Sequence, residues 1–180
     1  MIEVEIRARI EGKDEFQKKL KEIGAIYNKT EKQIDRVFGN PMFLDSDNMI
    51  VEGGLSARIR EVENKKTLEF KEIFRQKGGF EIETSLSEIE IGIKFLEKLK
   101  FKEVFVVSKS REIYLYNNFT ICIDSVDCLG DFIEIEKMVE FSEDENQARI
   151  ECLNLLKKID SNVKIENRKY GDLMQEILNN

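Results

Sequence analysis

The 180-residue chain has no histidine, one proline and three cysteines. Without histidine neither a Ser-His-Asp nor a Cys-His couple can form and no imidazole can shuttle protons, so any catalysis falls to carboxylates, lysines and arginines. The same absence removes the commonest zinc ligand. Cys122, Cys128 and Cys152 form neither an even disulfide set nor a paired zinc spacing, and they read as reduced and mostly structural. No apolar run approaches the roughly 18 residues of a membrane span. Glu3 and Glu5 stand where a secretory leader would need Lys or Arg, so the expectation is a cytoplasmic chain with no membrane partner. With Pro41 alone and nothing more Gly-rich than Gly53-Gly54, no linker announces itself, and the expectation is one domain over 1–180.

A hydrophobic content of 41% is enough for one ordinary core. Charged residues reach 36%, against roughly 25% in average globular proteins, and the net charge is -7. That balance argues against a globally basic nucleic-acid binder.

The segment Ile2 to Ile10 alternates strictly, with Ile2, Val4, Ile6, Ala8 and Ile10 on one face and Glu3, Glu5, Arg7 and Arg9 on the other, which is the period of a strand. Similar alternation predicts strands at Ser56–Glu61, Thr67–Glu72, Gly79–Thr84, Val104–Ser108, Arg111–Tyr116, Phe119–Val126 and Phe132–Val139. Helical spacing appears at Phe16, Leu20 and Ile23; at Ile89, Ile93, Leu96 and Leu99; and at Ala148, Cys152, Leu155 and Ile159, the last after a capping box from Ser142 to Glu145. A final helix is expected over Tyr170–Leu178, a tight turn at Asn117-Asn118, and a loop over Asn40–Gly54.

The signs of the strand charges are sorted. Glu3 and Glu5 share a face, as do Arg58 and Arg60, Glu81 and Glu83, Lys109 and Arg111, and Glu134 and Glu136. Like charges two apart on one strand repel slightly, so the pattern predicts an external partner for each sign. Carboxylate pairs on rigid strands can meet Mg²⁺ or Mn²⁺, which makes Glu3, Glu5, Glu134 and Glu136 metal candidates. Guanidinium and ammonium groups on neighbouring strands can hold a polyphosphate, a role that fits Arg58, Arg60, Lys71, Lys109 and Arg111. A sheet rolled with its charged face inward and its apolar face under the helices would satisfy all of them.

Glu3-Val4-Glu5-Ile6-Arg7 resembles the N-terminal E-x-E-x-K signature of the CYTH superfamily, the triphosphate tunnel metalloenzymes. Leu55-Ser56-Ala57-Arg58-Ile59-Arg60, Leu68-Glu69-Phe70-Lys71, Lys109-Ser110-Arg111-Glu112-Ile113-Tyr114 and the strand ending at Asp124 follow in that family's order. Leu129-Gly130-Asp131-Phe132-Ile133-Glu134-Ile135-Glu136 is similar to its G-x-F-x-E-x-E segment. Arg168-Lys169-Tyr170-Gly171-Asp172-Leu173-Met174 is similar to the R-x-Y-x-x-L ending of the class IV adenylyl cyclase branch, so the resemblance spans nearly the whole chain. Asp35, within Lys32–Phe38, resembles the family's D-x-Y strand, with Phe38 replacing Tyr. There are two departures: the signature lysine is Arg7, and the His-Phe pair of characterised class IV cyclases has no counterpart.

The resemblance implies an α+β fold, an antiparallel eight-stranded β-barrel or tunnel with a charged lumen and helices outside, which binds a triphosphate with Mg²⁺ or Mn²⁺. By motif position Glu3, Glu5, Glu134 and Glu136 would bind metal, and Asp124 would bind or orient it. Arg7, Arg58, Arg60, Lys71, Lys109 and Arg111 would bind phosphate, with Lys71 and Arg111 stabilising charge in the transition state. Glu83 is a weaker acidic candidate, and Lys137 and Arg9 could supplement the basic set. The implied reaction is ATP to cyclic AMP and pyrophosphate; the alternative is hydrolysis of inorganic, thiamine or nucleoside triphosphate. A non-catalytic polyphosphate- or nucleotide-binding module would not need both glutamate pairs. A homodimer is left open.

Overall fold

Period-two burial builds the sheet, and period-3.6 burial builds the helices that cover one of its faces. The computed structural model describes residues 2–74, 81–140 and 144–179. Its elements are β1 (Ile2–Arg9), α1 (Lys13–Glu22), β2 (Ile26–Gly39), a 3₁₀ turn (Pro41–Phe43), β3 (Leu55–Val62), β4 (Lys65–Glu72), β5 (Glu81–Ser85), α2 (Ile89–Lys98), β6 (Lys102–Tyr116), β7 (Phe119–Val126), β8 (Gly130–Val139), α3 (Glu145–Ile159), β9 (Lys164–Ile165) and α4 (Tyr170–Leu178). The class is α+β, with nine antiparallel strands and four α-helices. The eight expected segments fall on seven strands, β1 and β3 to β8; β2 is not among them, and β9 adds a pair of residues. Among the described residues the strand order runs from β5 at one end to β9 at the other.

The chain groups into two compact units, one of residues 1–31 with 109–167 and the other of residues 32–108 with 168–180. In the first unit the strand order is β6-β7-β8-β1-β9. Ile6, Ala8, Ile121, Ile123, Ile133 and Ile135 pack against Phe16 and Leu20 of α1 and against Cys152, Leu155, Leu156 and Ile159 of α3. Each such buried side chain contributes roughly 1.5–3 kcal/mol. Asp144 caps α3 by accepting from the amides of Asn146 and Gln147. The cap therefore falls two residues after Ser142, which lies outside the described residues. Asn117 opens the β6–β7 turn at φ 52, as its tolerance of the left-handed region predicts, and Gly130 enters β8 at φ 93.

In the second unit the order is β5-β4-β3-β2. Phe38, Ala57, Ile59, Leu96 and Phe101 form its core, with Leu68, Phe70, Leu86, Ile89 and Ile93 packed around them. Gly92 lets α2 approach β3 closely: a Cβ there would lie 2.8 Å from a methyl of Leu86 and 3.1 Å from one of Ile59. On α4, Tyr170 and Leu173 are buried.

Three expectations change. The separate strands Val104–Ser108 and Arg111–Tyr116 are one fifteen-residue strand, β6. Gly79 and Phe80 lie outside the described residues, and β5 is described from Glu81 to Ser85. The loop Asn40–Gly54 contains the 3₁₀ turn and a Leu44–Ile50 bridge. No helix among the described residues is long and apolar enough to cross a membrane.

Candidate metal and phosphate-binding site

The alternation that buries Val4, Ile6 and Ala8 sends Glu3, Glu5 and Arg7 to the face of β1 away from α1 and α3. Register then decides what those side chains meet. Arg7 stands opposite Glu134, and Arg111 opposite Asp124. In the second unit Asp35 stands opposite Arg60, Arg58 opposite Glu69 and Lys71 opposite Glu81. Signs that repeat along a strand are thus matched across strands, and part of the partner that each sign called for lies within the protein. Glu5 opposite Glu136 is the exception along the β1–β8 ladder.

Around the matched rungs of the first unit, Arg111 donates through Nε and Nη2 to the two oxygens of Asp124 at 2.7 and 2.6 Å, a forked bond. It also reaches Glu134, and its Nη1 donates to Glu136 Oε1 at 3.1 Å. Lys109 Nζ donates to Asp124 Oδ2 at 2.8 Å. Arg7 Nε donates to Glu134 and its Nη2 to Glu5 Oε1 at 3.3 Å. Asp124 is 0% exposed and Glu134 1%. Burial alone would raise the Asp124 carboxyl, but the Arg111 bonds and the Lys109 and Arg111 charges outweigh it and hold it down at about 2. Glu134 is likewise lowered: its burial is outweighed by Arg111 and Arg7.

At the unmatched rung the physics reverses. One carboxylate oxygen from each of Glu3, Glu5 and Glu136 lies within 4.8 Å of the other two. Adjacent octahedral ligands about 2.1 Å from an ion sit about 3.0 Å apart, so the three carboxylates would draw together by up to about 1.8 Å around it. Hard oxygen donors at this spacing fit Mg²⁺ or Mn²⁺. Burial, opposed by Arg111 and reinforced by Glu3, Glu134 and Glu5, pushes the Glu136 carboxyl up to about 7. Asp124 and Glu134 are outside this trio. The Cys122 thiol, 3.7 Å from Glu136 Oε1, is raised by its burial and stays protonated.

The second unit holds the remaining cations. Arg60 grips Asp35 with two bonds of 2.7 Å. Arg58 pairs with Glu69 and, at 3.5 Å, with Asp35. Lys71 Nζ lies 2.5 Å from Glu69 and 3.2 Å from Glu81. Burial would raise Glu69, yet Arg58 and Lys71 lower it. Arg58 Nε is buried with no acceptor among the described residues.

The supplementary residues have partners of their own, Glu83 standing opposite Glu69 on β4. Glu83 meets Lys65, Lys137 is bonded to Glu151 of α3, and Arg9 pairs with Glu166 over the Phe132 ring. What sequence reasoning missed is the anchoring role of Glu69 and Asp35. The signal that could have found Glu69 is its place two residues before Lys71 on the same face of β4.

A CYTH domain model matches residues 1–167. The chain belongs to the CYTH family. Across 177 residues it is 31% identical to a Methanocaldococcus jannaschii protein described as a candidate adenylate cyclase, covering 96% of this chain and 98% of that one. The structure of a Pyrococcus horikoshii protein, 28% identical, superposes with a TM-score of 0.78 over 97% of this chain and 99% of its own. A Hippeastrum protein described as a candidate adenylyl cyclase with dominant triphosphatase activity shares the CYTH fold at 16% identity, with a TM-score of 0.69 over 97% of this chain and 96% of its own.

Proposed function

We propose that this CYTH protein is a metal-dependent enzyme acting on a triphosphate, and that its reaction is conversion of ATP to cyclic AMP and pyrophosphate. The observation that carries the reading is the Glu3, Glu5 and Glu136 trio beside the Nη1 donor of Arg111. A cation site next to a guanidinium anchored from behind is what a metal–triphosphate complex requires. The eight candidate side chains of the first unit comprise five acids, Glu3, Glu5, Asp124, Glu134 and Glu136, against three bases, Arg7, Lys109 and Arg111. A divalent ion offsets that excess.

In this reading Glu3, Glu5 and Glu136 hold Mg²⁺ or Mn²⁺, which neutralises phosphate charge when bound. Asp124 and Glu134 act through the cations: they fix Arg111, Lys109 and Arg7 so that little reorganisation is needed when phosphates arrive. Arg58, Arg60 and Lys71 bind phosphate oxygens as well, with the unpartnered Nε of Arg58 as one such donor. Arg111 and Lys71 stabilise the charge that accumulates on the reacting phosphate. In the cyclase reaction the ribose 3′-oxygen bonds to the α-phosphorus, the bond to the bridging oxygen breaks, pyrophosphate leaves, and the hydroxyl proton goes to solvent.

The Methanocaldococcus relative's name supports the cyclase reading. The second reading, hydrolysis of inorganic, thiamine or nucleoside triphosphate, uses the same residues with water as nucleophile, and the Hippeastrum protein's description makes it the comparison to run. Turnover of ATP, inorganic triphosphate and thiamine triphosphate with Mg²⁺ or Mn²⁺, products separated, distinguishes them. Cyclic AMP with pyrophosphate supports the cyclase, orthophosphate with a diphosphate product replaces it by hydrolysis, and no turnover of any triphosphate removes the enzyme reading.

A further inference from the structure

One face of α2 has no role in the chemistry above. Gly92 and Leu96 bury the inner side of the helix in the second unit's core. Ile91, Phe95 and Leu99 recur every four residues on another side and are 55%, 57% and 50% exposed. Residues at that spacing stack into one stripe. Ordinary amphipathic helices place polar side chains there, so an aromatic flanked by two aliphatics over a span of about 12 Å is out of place on a solvated surface. Met42, 84% exposed, is brought toward the same end: Asn40 accepts from the Met42 amide and donates to the Leu99 carbonyl.

The charges around the stripe are biased along the helix. Glu88 and Glu90 lie at its start and Lys98, Lys100 and Lys102 at and beyond its end, with Lys94 and Glu97 between them and Glu103 taken up by Arg36; the five terminal charges are exposed. We propose that this stripe is the contact through which two copies of the chain associate, their α2 helices antiparallel about a two-fold axis at Phe95. In that arrangement each stripe meets itself, Ile91 against the partner helix's Leu99 position and Phe95 against its own counterpart, as an isologous interface requires. Glu88 and Glu90 of each copy then face the lysine-rich end of the other, and the two helix dipoles run opposite. A parallel pairing sets like charges together at both ends. The stripe with Met42 offers on the order of 300–500 Å² per copy, below the roughly 800 Å² of a standard interface, so the association is weak and reversible. The proposal is independent of the triphosphate chemistry.

Sedimentation equilibrium of the full chain from about 1 to 500 μM tests it, with thermal midpoints recorded for every variant. The parent should shift from monomer to dimer. Phe95→Glu should remain monomeric at all concentrations with an unchanged midpoint, because the side chain is exposed. The double variants E88K/E90K and K98E/K100E should each associate at least tenfold more weakly than the parent, whereas an equimolar mixture of the two should form heterodimer tighter than either alone. A parent that stays monomeric across this range overturns the proposal. A Phe95→Glu dimer as tight as the parent moves the interface elsewhere. Charge variants that associate like the parent, or a mixture no tighter than its components, overturn the antiparallel arrangement.

Discussion

Two acidic groups on neighbouring strands of the first unit, β7 and β8, respond to folding in opposite ways. Asp124 is enclosed by Lys109 and Arg111 and held down at about 2, while Glu136, on the rung where a carboxylate meets a carboxylate, is pushed up to about 7. Both are largely removed from water, so burial does not distinguish them. The distinction is the sign of the neighbours. A region that neutralises itself on folding serves as scaffold; a region that gathers like charges depends on something from outside. On this account the Asp124 cluster positions the cations, and the Glu3, Glu5 and Glu136 cluster recruits the ion.

The comparison breaks first at the unmatched cluster. Replacing Glu3 and Glu5 by Gln keeps the fold, because carboxylate repulsion is relieved, yet turnover should fall by about 10³-fold, with excess Mn²⁺ recovering part of it. Triphosphate turnover against Mn²⁺ concentration, beside the thermal midpoint, reads both. Asp124→Asn should do the converse: it leaves Lys109 and Arg111 short of a buried counter-charge and costs about 3 kcal/mol in denaturant unfolding, with activity that no Mn²⁺ restores. Parent-like stability would remove Asp124 from the scaffold.

The pH dependence sharpens the contrast. A carboxyl raised in the folded state favours the protonated protein, so the Glu136 contribution is present below its ordinary 4.5 and is lost as pH rises through about 7. Without divalent ions the parent should lose about 3 kcal/mol across that window. Glu136→Gln should flatten the slope in urea titrations at each pH. Asp124 has the opposite sign: its contribution is present above 3.8 and is lost as pH falls through about 2. The smallest effect belongs to the second unit. Arg58→Lys keeps the charge but removes the buried Nε donor, and KM for the triphosphate should rise about fivefold, the equivalent of one hydrogen bond of about 1 kcal/mol, with kcat little changed.

Much of the fold was legible because strands with one apolar face state their period directly: Phe119–Val126 agrees with β7 at both ends, and Tyr170–Leu178 with α4. β2 was largely illegible. Its first half, from Ile26 to Thr30, is exposed, so no burial imposes alternation there. Most candidate residues were found as same-sign pairs along strands, which is local information, while Arg7 and Asp124 came from the motif resemblance. Which pairs meet is set by register, a long-range property, so the proposed division of five acids into a two-residue scaffold and a three-residue cation site rests on the cross-strand pairing and not on the sequence. The exposed stripe on α2 was similarly hidden, because Leu99 carries the same apolar signal whether it packs inward or outward.

The most direct test is calorimetric titration of Mn²⁺ into the parent, Glu136→Gln and Asp124→Asn proteins at pH 7.5 without nucleotide, each first shown to be folded. If Glu3, Glu5 and Glu136 form the cation site, the parent and Asp124→Asn bind the ion alike, and Glu136→Gln binds it at least tenfold more weakly. Parent-like binding by Glu136→Gln, with binding lost in Asp124→Asn, would contradict the account by placing the ion on the cluster described here as scaffold.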